Sequence, residues 1–214
     1  RSIEIAPSGS LPLPPVGDQL RILIAINGHG KVSVNGQTHP INEIAVALAA
    51  PGQSVTLEAA PGTALAALDI LWRLTPDEVK SLAGFEPYYK TYSGCKTYRE
   101  AIKSPKTVNR TLVSETLVPR FCMGSVETAG PDVVARHRHP MLEQFFFGLK
   151  GNDCRASADD SETPFGEMTL LRIPSGAEHG VIVDDGKILH YLWLDFFSDP
   201  DGMRWISQMH AEDD

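Results

Sequence analysis

Short apolar runs closed by glycine or proline recur along the chain. The first, Leu20-Arg21-Ile22-Leu23-Ile24-Ala25-Ile26, ends at Asn27-Gly28, and a later one, Phe145-Phe146-Phe147-Gly148-Leu149, ends at Lys150-Gly151. Between such runs the polar and apolar positions alternate with period two, the period of strands and not of helices. Lys31-Val32-Ser33-Val34 alternates up to Asn35-Gly36, a strong signal for a two-residue hairpin. Ser54-Val55-Thr56-Leu57 and Val181-Ile182-Val183 are rich in β-branched residues and stop at turn residues. With 18 Gly and 16 Pro the chain turns often. Many short strands at this spacing predict an all-β protein of antiparallel sandwiches or barrels.

The pattern occurs twice. Gly28 to Pro51 is 23 positions, and Gly151 to Pro174 is also 23, so the second unit lies 123 residues after the first. Each unit runs on to a tryptophan, Trp72 and Trp193. An offset of this size is that of a domain and not of a solenoid. The expected boundaries are a first barrel over 1–74, a helical and coil linker over 75–109, a second barrel over 110–198 and a C-terminal helix or tail over 199–214. Within the linker, Thr75-Pro76-Asp77-Glu78 predicts a capped helix to about Ala83, stopped by Gly84. A second short helix is predicted near Gly202–Met209, after Asp199-Pro200.

The segment from Gly130 to Glu143 carries the chemistry. His137 and His139 alternate on one strand and so share a face, Glu143 follows a bend at Pro140, and Pro174-Ser175-Gly176-Ala177-Glu178-His179 brings a third imidazole back. Three imidazoles and a carboxylate suit a divalent Fe, Mn, Ni, Zn or Cu and leave positions open for water or substrate. Glu143 adjoins the Phe145–Phe147 run, and a carboxylate beside buried surface needs a partner. Subtracting 123 places Pro14, Val16, Leu20 and Thr56 at the four ligand positions of the first unit. These residues predict one metal per chain, with an apolar core in the first barrel.

HxH-x3-E followed by P-x-G-x2-H, led by Gly130 and Gly166, resembles the paired motifs of the cupin superfamily. The resemblance covers most of residues 120–197, while the first half shares only the turn framework. It implies two double-stranded β-helix, or jelly-roll, barrels of which one holds metal. The arrangement is also similar to the two-barrel uronate isomerases, from which it departs in length and ligand spacing. That implies an enzyme acting on a small oxygenated metabolite such as a sugar or uronate, with Glu127 or Asp195 moving the proton. The alternatives are an iron-dependent dioxygenase and a non-catalytic small-ligand-binding cupin. Arg120, Gln144, Phe145, Phe147 and Tyr191 are candidate pocket residues, Phe145 and Phe147 because they share parity with Glu143. His29, His39, His190 and His210 have no ligand-like companions and are expected at surfaces or turns.

Charge and cysteine usage narrow the classes. The net charge is −8 with no extended Lys/Arg run, so the concentrated basic surface that displaces counterions from phosphates is missing and nucleic acid is not an expected partner. No apolar run approaches the ~20 residues needed to span a bilayer. The start, Arg1-Ser2-Ile3-Glu4, lacks the apolar stretch of a signal peptide, and the expected location is cytoplasmic. Cys95, Cys122 and Cys154 form no CxxC pair and are expected as reduced thiols. The expected partners are a small-molecule substrate and a second copy of the chain in a homodimer.

Overall fold

The computed structural model describes residues 1–100 and 103–204. It divides into two compact units, Arg1–Cys95 and Lys96–Asp214. The first contains β1 (Ser2–Ile5), β2 (Ser10–Leu13), β3 (Gln19–Asn27), β4 (Gly30–Val34), β5 (Gln37–Ile41), β6 (Ala45–Ala49), β7 (Val55–Ala59), β8 (Leu65–Arg73), α1 (Pro76–Ser81) and β9 (Tyr88–Thr91). Two antiparallel sheets, β1-β8-β3-β6-β9 and β2-β7-β4-β5, close over an aliphatic core that includes Leu23, Val32, Ile41, Leu57 and Leu65. The Asn35-Gly36 hairpin forms as the sequence predicts: Val34 pairs with Gln37 and both loop residues have positive φ, as a primed turn requires.

Helix α1 also forms where its cap predicts. The Glu78 backbone N–H donates to Thr75 Oγ1 at 3.3 Å and the Thr75 N–H donates to Glu78 Oε2 at 2.7 Å, a reciprocal capping box. Strand β9 pairs with β6, so residues 88–91 belong to the first sheet although they fall inside the expected linker.

The second unit contains β10 (Thr97–Tyr98), β11 (Val108–Val118), β12 (Phe121–Ala129), β13 (Asp132–His137), β14 (Leu142–Gly148), β15 (Asp153–Ala158), β16 (Ser161–Gly166), β17 (Leu170–Ile173), β18 (His179–Val183) and β19 (Ile188–Phe197). Its pairings repeat those of the first unit. β1–β8, β2–β7, β3–β6, β3–β8, β4–β5 and β4–β7 correspond to β12–β19, β13–β18, β14–β17, β14–β19, β15–β16 and β15–β18. The 123-residue offset is therefore a repeat of topology. Residues 200–204 are helical, and the remainder of the helix predicted near Gly202–Met209, with His210, lies outside the described residues.

The second barrel has an aromatic and aliphatic core of Val126, Phe146, Phe165, Ile173, Val181, Leu189 and Tyr191, with Trp193 packed against it. Trp193 sits opposite Gly124 on β12. A Cβ at position 124 would come within 2.4 Å of the indole, so only glycine leaves room for that ring. Among the described residues no helix is long and apolar enough to cross a membrane.

Candidate metal centre

The end of the β13–β18 ladder brings the histidines together. His137 lies directly opposite His179 after a bulge that follows Val134, and His139 continues beyond the strand. The ring centroids are 4.8 Å apart for His137–His139, 4.4 Å for His137–His179 and 5.3 Å for His139–His179. One ligand atom from each lies within 4.8 Å of the others, close enough to hold a metal ion, and no other such group occurs among the described residues.

The backbone sets the tautomers. His179 Nδ1 is 3.0 Å from the Ala177 carbonyl and His137 Nδ1 is 2.8 Å from that of Ala135. A carbonyl only accepts, so each Nδ1 carries the proton and each Nε2 keeps its lone pair. His179 is 2% exposed and its Nε2 is buried without a hydrogen-bond partner. Burial pushes its imidazole pKa down to about 4, with the neighbouring His137 and the Lys103 charge acting in the same direction. A ring held neutral in this way is ready to ligate well below neutral pH.

The carboxylate expected as fourth ligand stands elsewhere. Glu143 lies on the face of β14 opposite Phe146, and Arg172 grips it bidentately, Nε to Oε2 at 2.6 Å and Nη2 to Oε1 at 3.0 Å. Those hydrogen bonds hold its carboxyl below the usual carboxylate range. The physical reason is Met141, whose φ of +67° inserts a left-handed residue between His139 and β14 and shifts the side-chain phase by one. Phe145 and Phe147 share Glu143's face, so they do not wall the interior that holds Phe146. Phe145 packs instead against Phe196 at 5.8 Å.

The same shift turns Gln144 inward. It is 5% exposed, and two residues along its face the Phe146 ring lies 5.8 Å from the His179 ring. Gln144 Nε2 donates to Asp195 Oδ1 at 2.8 Å, which leaves Gln144 Oε1 buried without a partner. A buried, unsatisfied carbonyl oxygen on the face that carries the imidazoles is the kind of group that a cation satisfies. The donor set of three imidazoles and an amide oxygen fits a borderline divalent ion.

Asp195, one of the two carboxylates expected to move protons, is 3% exposed and on the inner face of β19. Burial raises its pKa to about 7, against the opposing effects of the Gln144 hydrogen bond and the Lys103 charge. The other, Glu127, is on the outer face of β12, paired with Arg110 at 3.1 Å and 3.8 Å from His190 Nε2. Arg120 is a turn residue between β11 and β12, with φ of +53° and Nη1 donating to the Phe197 carbonyl at 3.1 Å. Tyr191 is inside the barrel, but deep in its core against Phe146 at 4.6 Å.

Two buried charges come from the segment expected to be a linker. Lys103 Nζ is 2.9 Å from Glu100 Oε2 and donates to Asn109 Oδ1 at 2.8 Å, and the Lys103 and Glu100 side chains are only 7% and 11% exposed. The Tyr98 phenol also hydrogen-bonds Glu100. Desolvation lowers the Lys103 pKa against the opposing pull of Glu100. The segment is pinned by Asp132, whose Oδ2 accepts from Ser104, Thr107 and Thr128 at 2.8, 3.2 and 2.6 Å. Nothing in the spacing of residues 96–107 marks Glu100 or Lys103, since they are buried only when the segment folds onto the barrel.

The first unit differs at each equivalent place. Leu13 opposite Val55 closes the β2–β7 ladder where His137 opposite His179 closes β13–β18. These equivalents lie one residue before the Pro14 and Thr56 of the constant offset, and they are equally without donors. At the place of Gln144 stands Arg21, 2% exposed, its Nε 3.0 Å from Asp69 Oδ1 and its Nη1 donating to the Pro14 carbonyl at 2.7 Å. The first barrel therefore carries a fixed guanidinium where the second has an open amide oxygen.

No family model matches the sequence and no curated protein matches it. The solved structures do. A glyoxylate-induced protein from Pseudomonas aeruginosa superposes with a TM-score of 0.72 at 12% identity, over 90% of this chain and 71% of that one. An IolB-like protein from Salmonella typhimurium LT2 gives 0.72 at 11% identity, over 96% and 88%. The E162A mutant of Bacillus subtilis oxalate decarboxylase gives 0.66 at 11%, over 93% and 68%. At such identities the likeness concerns architecture, and the architecture it establishes is the all-β cupin fold.

Proposed function

We propose that His137, His139 and His179, with Gln144 Oε1 as fourth donor, hold one divalent transition metal per chain. We further propose that this centre moves protons on a small oxygenated metabolite, as in the isomerisation of a sugar or uronate. The carrying observation is a pair of buried titratable groups in the second barrel, Asp195 held by Gln144 and Lys103 held by Glu100 and Asn109. Asp195 is shifted up to about 7 and Lys103 is shifted down, and both shifts move a proton-transfer group toward neutral pH. A bound divalent ion supplies Lewis-acid polarisation of a substrate carbonyl. Asp195 can take a proton at its free carboxyl oxygen and return it, while Gln144 holds the other oxygen in place. Lys103 can supply a proton from Nζ to a developing oxyanion and is recharged through Glu100.

The test is turnover of a panel of aldoses, ketoses and uronates by protein loaded separately with Fe, Mn, Ni, Zn or Cu, with and without oxygen. Isomerisation changes no net oxidation state, so turnover should need metal but neither oxygen nor a reductant. It should fall by roughly 100-fold or more in Asp195→Asn, the low end of what general acid–base groups contribute. Strict oxygen consumption coupled to turnover would replace this reading with that of a dioxygenase.

A further inference from the structure

We infer that the centre in the second barrel selects an anionic substrate, a small carboxylate whose charge is shared between the metal and Lys103. The inference rests on the metal reading above and adds the substrate class. Its basis is the charge count in the barrel. Every donor offered to the cation is neutral: His137, His139 and His179 ligate as neutral imidazoles, the first and last of them through Nε2, and Gln144 presents an amide oxygen. The carboxylate that could have compensated the ion, Glu143, is turned to the other face and neutralised there by Arg172. Glu100, the carboxylate nearest Lys103, is already matched by that ammonium at 2.9 Å. Asp195 contributes at most one negative charge. With a divalent ion present, the interior therefore keeps at least one unit of positive charge in either form of Asp195.

An uncompensated charge away from water is costly, and an incoming anion removes that cost where a neutral ligand does not. Lys103 gives the anion a second anchor. Its ammonium donates to Asn109, a fully buried residue opposite Val126 of the barrel core, so it enters the second barrel from β11, and its charge acts on both His179 and Asp195. Among the described residues, Glu100 and Asn109 take two of its three N–H donors. The third is available to a carboxylate oxygen. Asp132 acts as a positioning residue, since its three hydrogen bonds hold residues 104–107 and thereby the Lys103 backbone.

The test uses glycolate and its uncharged analogue glycolamide, which offer the same pair of vicinal oxygens and differ in charge. Each is titrated calorimetrically into the full chain, metal-free and loaded with Mn²⁺, after the metal stoichiometry has been measured. The loaded protein should bind glycolate at least tenfold more tightly than glycolamide, and the metal-free protein should bind neither. Lys103→Met should weaken glycolate binding at least tenfold with glycolamide affinity and metal stoichiometry unchanged. Gln144→Glu, which returns a carboxylate to the ligand set, should keep the metal and weaken glycolate at least tenfold, and it serves also if Lys103→Met fails to fold. Equal affinities for glycolate and glycolamide, or glycolate binding untouched in both variants, would overturn the anionic-substrate inference while leaving the metal reading intact. Failure of wild-type protein to retain any of Fe, Mn, Ni, Zn or Cu would overturn both.

Discussion

Gln144 and Asp195 face each other directly across β14 and β19, and the 2.8 Å hydrogen bond from Gln144 Nε2 to Asp195 Oδ1 orients the amide. With its nitrogen committed, the amide has only its buried, unpartnered Oε1 to offer a cation. Gln144→Leu should accordingly weaken metal binding by roughly 10- to 100-fold or more, the scale on which even outer partners of metal ligands act. Glu143→Gln should leave metal affinity unchanged and alter stability by less than about 1 kcal/mol, because it breaks only an exposed ion pair with Arg172. Metal titration and urea denaturation of the two variants check both halves. A larger loss of metal in Glu143→Gln than in Gln144→Leu would return Glu143 to the ligand set.

Loss of any one imidazole should separate binding from folding. His137→Ala, His139→Ala and His179→Ala should each lower metal affinity by more than about 100-fold, since a direct ligand matters more than its outer partners. The β-barrel should survive, because its core is built from Val126, Phe146, Phe165 and their neighbours and not around the ion. Circular dichroism with elemental analysis measures this, and stoichiometric metal in a variant would remove that residue from the set.

Acid–base behaviour of the metal-free protein should show two opposing groups. Asp195 is raised from 3.8 to about 7, so its contribution to stability is fully present below 3.8 and is lost as pH rises through 7. His179 is lowered from 6.5 to about 4, so the unfolded chain takes up the proton first and stability is lost as pH falls from 6.5 toward 4. Between 4 and 6.5 the two slopes cancel in part. Asp195→Asn removes one of them, so the variant should gain stability with rising pH across this window more steeply than the wild type. Urea midpoints at several pH values provide the measurement, and parallel pH curves for the two proteins would contradict the assignment.

Arg21 and Asp69 form a buried pair in the first barrel, with side chains 3% and 1% exposed. Asp69 also accepts from Arg1 Nε at 3.0 Å, so Asp69→Leu, which strands the buried Arg21 guanidinium, should cost about 3–5 kcal/mol, and Arg21→Met, which leaves Asp69 its Arg1 partner, should cost less. The double variant should recover most of that loss, because apolar residues of similar volume often replace a buried pair without penalty. A double-mutant cycle by denaturant unfolding tests it, and simple additivity of the two losses would refute the coupling.

Gly124→Ala should destabilise the second barrel by about 1–3 kcal/mol, the usual cost of overpacking. Its Cβ would meet the Trp193 ring at 2.4 Å and the Arg110 carbonyl oxygen at 2.1 Å, and the backbone atom cannot rotate away. Unchanged stability in chemical denaturation would show that the strand has room to move.

The amino-acid sequence by itself determines the strands, the 123-residue repeat, the capped helix at Thr75 and the three histidines, because each is written in local spacing. Period-two alternation places His137 and His139 together, and a Pro/Gly turn returns His179 to them. What alternation cannot carry is phase across an interruption. One left-handed residue, Met141, decides that Gln144 and not Glu143 faces inward, and the unbroken Phe145–Phe147 run holds no polar position to reveal it. Tertiary structure also decided the fate of Glu100 and Lys103. Their segment has no periodicity of its own, and it meets the barrel through hydrogen bonds to Asp132 that join residues 25 or more positions apart. Their burial, and with it their chemistry, arises from long-range contact, which leaves no local pattern in the chain.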